Sequence, residues 1–119
     1  IKLFNSDMGF FEKLKKGIKL KQNSPSQSMI QKTHEKILYL KKQLKTTPEN
    51  SNLYLDLYGC YVELSDITKK IECLKKITKL KPNDSYPLQQ LADIYSNELN
   101  DMEQAKSFQD MANKIKKSF

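Results

Sequence analysis

The side chains able to do chemistry are few and far apart. His34 is the single histidine of the 119 residues, and Cys60 and Cys73 stand 13 positions apart, a separation that belongs to no metal-ligand or dithiol motif. The sequence holds no HExxH, no CxxC, no P-loop and no dinucleotide fingerprint. Metal-assisted hydrolysis, thiol exchange and phosphoryl transfer therefore lack the groups each requires at short, fixed spacing. His34 lies among Gln31, Glu35 and Leu38 and reads as a surface histidine. Asp101 and Glu103 read as first-turn helix residues favoured by the macrodipole rather than as an acid and base pair. The expectation is no enzyme, no catalytic residue, no metal and no cofactor, with both cysteines serving as small core residues. What remains is the chemistry of surfaces, in which apolar side chains are buried and amides, carboxylates and ammonium groups set what they are buried against.

All 21 cations are lysine, against 14 carboxylates, for a net charge of +7. The excess is not spread evenly. Residues 1–47 hold 11 Lys against Asp7, Glu12 and Glu35, which is +8, whereas residues 48–119 hold 10 Lys against 11 carboxylates, which is −1. Base-edge and paired-phosphate recognition favours the forked guanidinium, so a chain without arginine is a poor candidate for specific nucleic-acid binding.

Such surfaces need elements to hold them, and the apolar spacing says which. The chain is of single-domain length, and 3 Gly and 4 Pro leave little material for tight hairpins. Leu53, Leu57, Cys60, Tyr61 and Leu64 recur at helical spacing, as do Ile67, Ile71, Leu74, Ile77 and Leu80. Ser65-Asp66 turns the chain between them, and Pro82-Asn83-Asp84-Ser85 ends the second helix and caps the next. A further hairpin follows, with Leu88, Leu91, Ile94, Tyr95 and Leu99, the Asn100-Asp101 turn, and then Met102, Ala105, Phe108, Ala112 and Ile115. Upstream, Ser26 to about Thr46 carries Met29, Thr33, Ile37, Leu40 and Leu44, and Asp7 to Lys21 carries Met8, Phe11, Leu14 and Ile18. The fold expected is all-α, about six helices paired as antiparallel hairpins.

Pro48 and Pro82 lie 34 residues apart, each closing a lysine-rich amphipathic helix and each followed by Asn and Ser. This spacing is the period of the tetratricopeptide repeat, and Ser51 to Pro82 resembles that family. Tyr54 stands at the large-aromatic site, Leu57 three later, Tyr61 at the tyrosine site, and Leu74, Ile77, Leu80 and Pro82 where the second helix is apolar and then stops. Ser85 onward is similar, with Leu88, Leu91, Ala92 and Tyr95 and, after one extra residue in the turn, Ala105 and Ala112 at the two small sites. Two departures stand beside the matches. Tyr58 fills the small site of the first copy, with Gly59 one later, and Lys70 stands at its first alanine site, so wider helix packing is expected there. Residues 35–48 resemble the second helix of a degenerate earlier copy.

The resemblance implies a short solenoid over residues 48–119, two helix-turn-helix repeats meeting at 82/85, preceded by a basic helical hairpin over residues 1–47. It also implies a groove lined by the first helix of each repeat. By position that groove comprises Asn52, Leu55, Asp56, Gly59, Val62 and Glu63, then Tyr86, Gln89, Gln90, Asp93, Ser96 and Asn97. Family members that clasp a C-terminal carboxylate use Lys and Asn on this face. Leu55, Gly59 and Gln90 stand here instead, so the expected ligand is a helical or apolar segment of a partner protein rather than an acidic tail.

Residues 8–19 form the other candidate, an apolar stripe set among lysines. Phe10, Phe11, Lys13, Lys15, Lys16 and Lys19 could meet an anionic membrane surface or a partner. Alternatively Met8, Phe11, Leu14 and Ile18 pack on the helix from Ser26 and cap the stack. Two repeats are few for independent stability, which favours either such a cap or self-association through the last helix. The function expected is a non-catalytic protein-interaction scaffold, with a peripheral membrane protein anchored by its first helix as the alternative and a cytoplasmic or membrane-peripheral location.

Overall fold

The computed structural model describes residues 26–118. It shows five helices and, among these residues, no strand: α1 (Gln27–Thr46), α2 (Ser51–Glu63), α3 (Ile67–Leu80), α4 (Ser85–Asn97) and α5 (Met102–Ser118). The helix expected over residues 7–21 lies outside the described residues.

Each helix starts where a short polar side chain can accept a hydrogen bond from an orphan backbone N–H. Ser26 Oγ accepts from Met29 N at 3.1 Å and Asn50 Oδ1 from Asn52 N at 3.0 Å. Asp66, Asp84 and Asp101 do the same for α3, α4 and α5, accepting from Lys69, Tyr86 and Gln104 at 3.1, 2.9 and 3.1 Å. Pro87 sits within the first turn of α4, where its missing N–H breaks no helical bond.

Two kinds of turn alternate. Thr47 and Lys81, the residues before Pro48 and Pro82, share φ −133° with ψ 69° and 75°, because the proline ring excludes the helical region for its predecessor. Asn50 N then donates to Thr47 O at 3.2 Å and Asp84 N to Lys81 O at 3.1 Å, so the same turn recurs 34 residues on. Within each hairpin the chain reverses through a left-handed residue, Ser65 at φ 55° and Asn100 at φ 53°. At the first, Asp66 N donates to Tyr61 O at 2.9 Å and Ser65 N to Val62 O at 3.1 Å, the paired bonds of a Schellman end. At the second, Asp101 N reaches back to Tyr95 O at 2.8 Å. That loop is one residue longer, which is where the inserted residue is absorbed.

Each helix packs on its neighbours in sequence, α1 on α2, α2 on α3, α3 on α4 and α4 on α5, and no other pair of these helices approaches at backbone packing distance. Ile37 and Leu40 of α1 share one buried cluster with Leu57, Cys60, Tyr61 and Cys73. Leu74, Leu91 and Ile94 form a second, closed by Tyr58, Ile67, Ile71, Tyr95 and Phe108. Tyr95 and Phe108 stack with centroids 5.5 Å apart and planes at 15°. Buried Ala92, Ala105 and Ala112 let α4 and α5 come close. Lys70, in α3, is 8% exposed. Its stem lies in the packing while Nζ reaches the Glu98 carboxylate, at the C-cap of α4, at 2.8 and 3.0 Å, so the ammonium leaves water only by gaining a counter-ion.

Candidate functional site

Charge is sorted by helix. Every described lysine lies on α1, α3 or α5, or at the C-cap of α3 as Lys81, whereas α2 and α4 carry no cation and three carboxylates, Asp56, Glu63 and Asp93. Alternate helices thus offer different surfaces, and the cation-free pair is the one on which the candidate positions fall.

Asn52, Leu55, Asp56, Gly59, Val62 and Glu63 are all exposed on α2. Leu55 and Val62 show 42% and 45% of their surface, apolar area that packing among the described helices leaves uncovered. A Cβ placed on Gly59 would meet nothing within 4 Å, so the space beside that residue is open. Glu63 already has a partner: Thr33 Oγ1 of α1 donates to its Oε1 at 2.9 Å, which pins the end of α2 beside the first turns of α1.

On α4 the positions divide. Tyr86, Asp93 and Asn97 are exposed, Tyr86 by 46%, and Gln90 is half-buried. These four recur at helical spacing and share one stripe. Gln89 and Ser96 turn toward α5 instead. Gln89 Nε2 donates to Gln109 Oε1 at 2.7 Å and Gln109 Nε2 to Gln89 Oε1 at 2.9 Å, Lys116 Nζ donates to Gln89 Oε1 at 3.0 Å, and Ser96 Oγ lies 3.7 Å from Met102 Sδ. Ser96 borders a shallow cleft of about 250 Å³ between α4 and α5, lined also by Ala92, Asp93, Met102, Lys106 and Gln109. Gln89 and Ser96 belong to the seam with α5 rather than to the stripe of Tyr86, Gln90, Asp93 and Asn97, of which Asp93 also lines the cleft and accepts from Gln89 Nε2 at 3.2 Å.

Tyr58 joins α2 to α4, and the positional reading missed it. Its hydroxyl donates to Gln90 Oε1 at 3.4 Å, and its ring packs into the second core cluster. Burial pushes the phenol above its usual range, and Tyr86, Glu98 and Asp93 push it further, so the bridge stays protonated and able to donate. The signal was available in the sequence, since a tyrosine stands at a site where the resembled family keeps a small residue. A side chain that large has to fill a gap between helices.

Among the described residues no three His, Cys, Asp or Glu side chains gather as a metal would require, and no helix is long and apolar enough to cross a membrane. His34 is exposed on α1, and both cysteines are buried and unpaired. Phe10, Phe11, Lys13, Lys15, Lys16 and Lys19 lie outside the described residues. No protein-family model matches the chain, and no curated protein matches it either.

Proposed function

We propose that this chain is a non-catalytic protein-interaction module, built as two tetratricopeptide-like repeats, that binds a helical or apolar segment of a partner protein along α2 and α4. The observation that carries the reading is the surface of those two helices: no cation, three carboxylates, and Leu55, Val62 and Tyr86 each more than 40% exposed. Apolar area rimmed by amides and carboxylates suits a partner bearing apolar anchors with basic or neutral flanks. An acidic ligand would meet repulsion there. The repetition of the proline turn at 34-residue spacing, in the same backbone geometry, supports the repeat architecture.

The test is site-specific photocrosslinking in the source cell. A crosslinker at Leu55 or Val62 should trap a discrete protein, one at Lys75 on α3 should not, and with the crosslinker at Val62 the pair Leu55→Lys and Tyr86→Ala should abolish the adduct while far-UV circular dichroism stays unchanged. Equal trapping from Lys75, or an adduct indifferent to the double substitution, would sink the assignment of this face.

A further inference from the structure

We infer that the ligand this face fits is a lysine-rich amphipathic helix, and that the nearest one is residues 8–19 of the same chain, docked in cis along α2 and α4. This rests on the binding face proposed above and names its first occupant.

Charge is the first argument. Met8, Phe11, Leu14 and Ile18 are spaced in the sequence as one helical stripe would need, interspersed with Lys13, Lys15, Lys16 and Lys19. On the described helices, only α2 and α4 offer carboxylates without lysines. Competing apolar spots among the described residues are Met102 and Met111, on α5 with its four lysines, and the outer side of α1, where Leu38 and Tyr39 are exposed. That helix carries Lys32, Lys36, Lys41, Lys42 and Lys45 against Glu35 alone. The segment's ammonium groups would meet like charge there and opposite charge beside Asp56 and Asp93; Lys106 of α5 lines the same cleft as Asp93 but is itself paired with Asp110 at 2.9 Å.

Reach is the second. The Thr33–Glu63 hydrogen bond sets the end of α2 beside the start of α1, and Ser26 precedes Thr33 by seven residues, about 10 Å of helix. Residues 20–25 extend to roughly 20 Å, enough to return the chain to Glu63. From there to Asn52 the face runs about 17 Å, and a twelve-residue helix is about 18 Å long. The apolar stripe has Val62, Leu55 and Tyr86 to cover it, and Gly59 leaves room beside them for a large side chain.

The experiment uses the full chain, spin-labelled at Lys13→Cys; Cys60 and Cys73 are buried, which should shield them from the reagent in the native state. Amide signals of Gly59, Val62, Tyr86 and Asp93 should be lost to the nitroxide and return when it is reduced. Asp56→Lys with Asp93→Lys, both exposed and read for folding by circular dichroism, should restore those signals, and so should Lys15→Glu with Lys16→Glu. Loss at Leu38 and Tyr39 instead, loss at no particular helix, or loss only when labelled and unlabelled chains are mixed would overturn docking in cis. The crosslinking test reads occupancy by another protein, so the binding face can stand while its self-occupancy falls.

Discussion

At the scale of single residues, two buried polar features make checkable demands. Cys73 is 6% exposed, and burial pushes its thiol up to about 11, with Glu72 adding to the shift and Lys69 opposing it. A raised value means that the folded chain holds its proton where the unfolded chain has lost it. The associated stability is complete below the ordinary thiol pKa and falls as pH rises through the folded one. Between pH 9 and 11 the protein should lose on the order of 2 kcal/mol through this group. Urea titrations at both values should show a smaller loss in Cys73→Ala, and an equal loss in both proteins would exclude the thiol as the cause. The same burial predicts that thiol reagents label neither cysteine until the chain unfolds. The second feature is the Lys70–Glu98 pair. Glu98→Gln leaves the Lys70 ammonium largely enclosed without its counter-charge and should cost about 1–3 kcal/mol. Lys70→Met combined with Glu98→Gln should recover most of that loss in a double-mutant cycle, since the desolvated charge is then gone.

Within elements, the helices were legible because their signals are local. The stripe from Met29 to Leu44 located α1, and Ser26 and Thr46 bound it as the sequence implies. Ser65-Asp66 and Asn100-Asp101 announced both hairpin turns, although nothing in the residue types showed that Ser65 takes a left-handed conformation that asparagine tolerates better. Ser65→Gly should therefore stabilise the protein by about 0.5–1 kcal/mol, and Asn100→Gly by less, both read from thermal melts. A destabilised Ser65→Gly would mean that the hydroxyl contributes more than the backbone strain costs. The candidate site was less legible for a physical reason. Which side of α4 a residue takes depends on where α5 lies, and the reciprocal hydrogen bonds between Gln89 and Gln109 join positions 20 residues apart. The Tyr58–Gln90 bridge spans 32. Periodicity places a side chain on a helix face, but only packing names the neighbour that covers it.

For the molecule as a whole, the consequence of packing only on sequence neighbours is that stability should be graded along the chain. α3 is gripped from both sides: Cys73 joins it to the cluster shared with α1 and α2, while Leu74, fully buried, joins it to α4. Each helix cap contributes roughly 1 kcal/mol, whereas truncating a buried leucine costs about 2–5 kcal/mol, so the seams between helices, not their ends, decide what unfolds together. Leu74→Ala removes contact at the middle seam and should lower hydrogen-exchange protection in every helix. Ile37→Ala acts at the seam of α1 with α2 and should lower protection most in α1, less in α2 and α3, and little in α4 and α5. Native-state exchange read by mass spectrometry separates these patterns. If Ile37→Ala lowered protection in α5 as much as in α1, the five helices would be one all-or-none unit, and the pairwise packing would describe their geometry without describing their cooperativity.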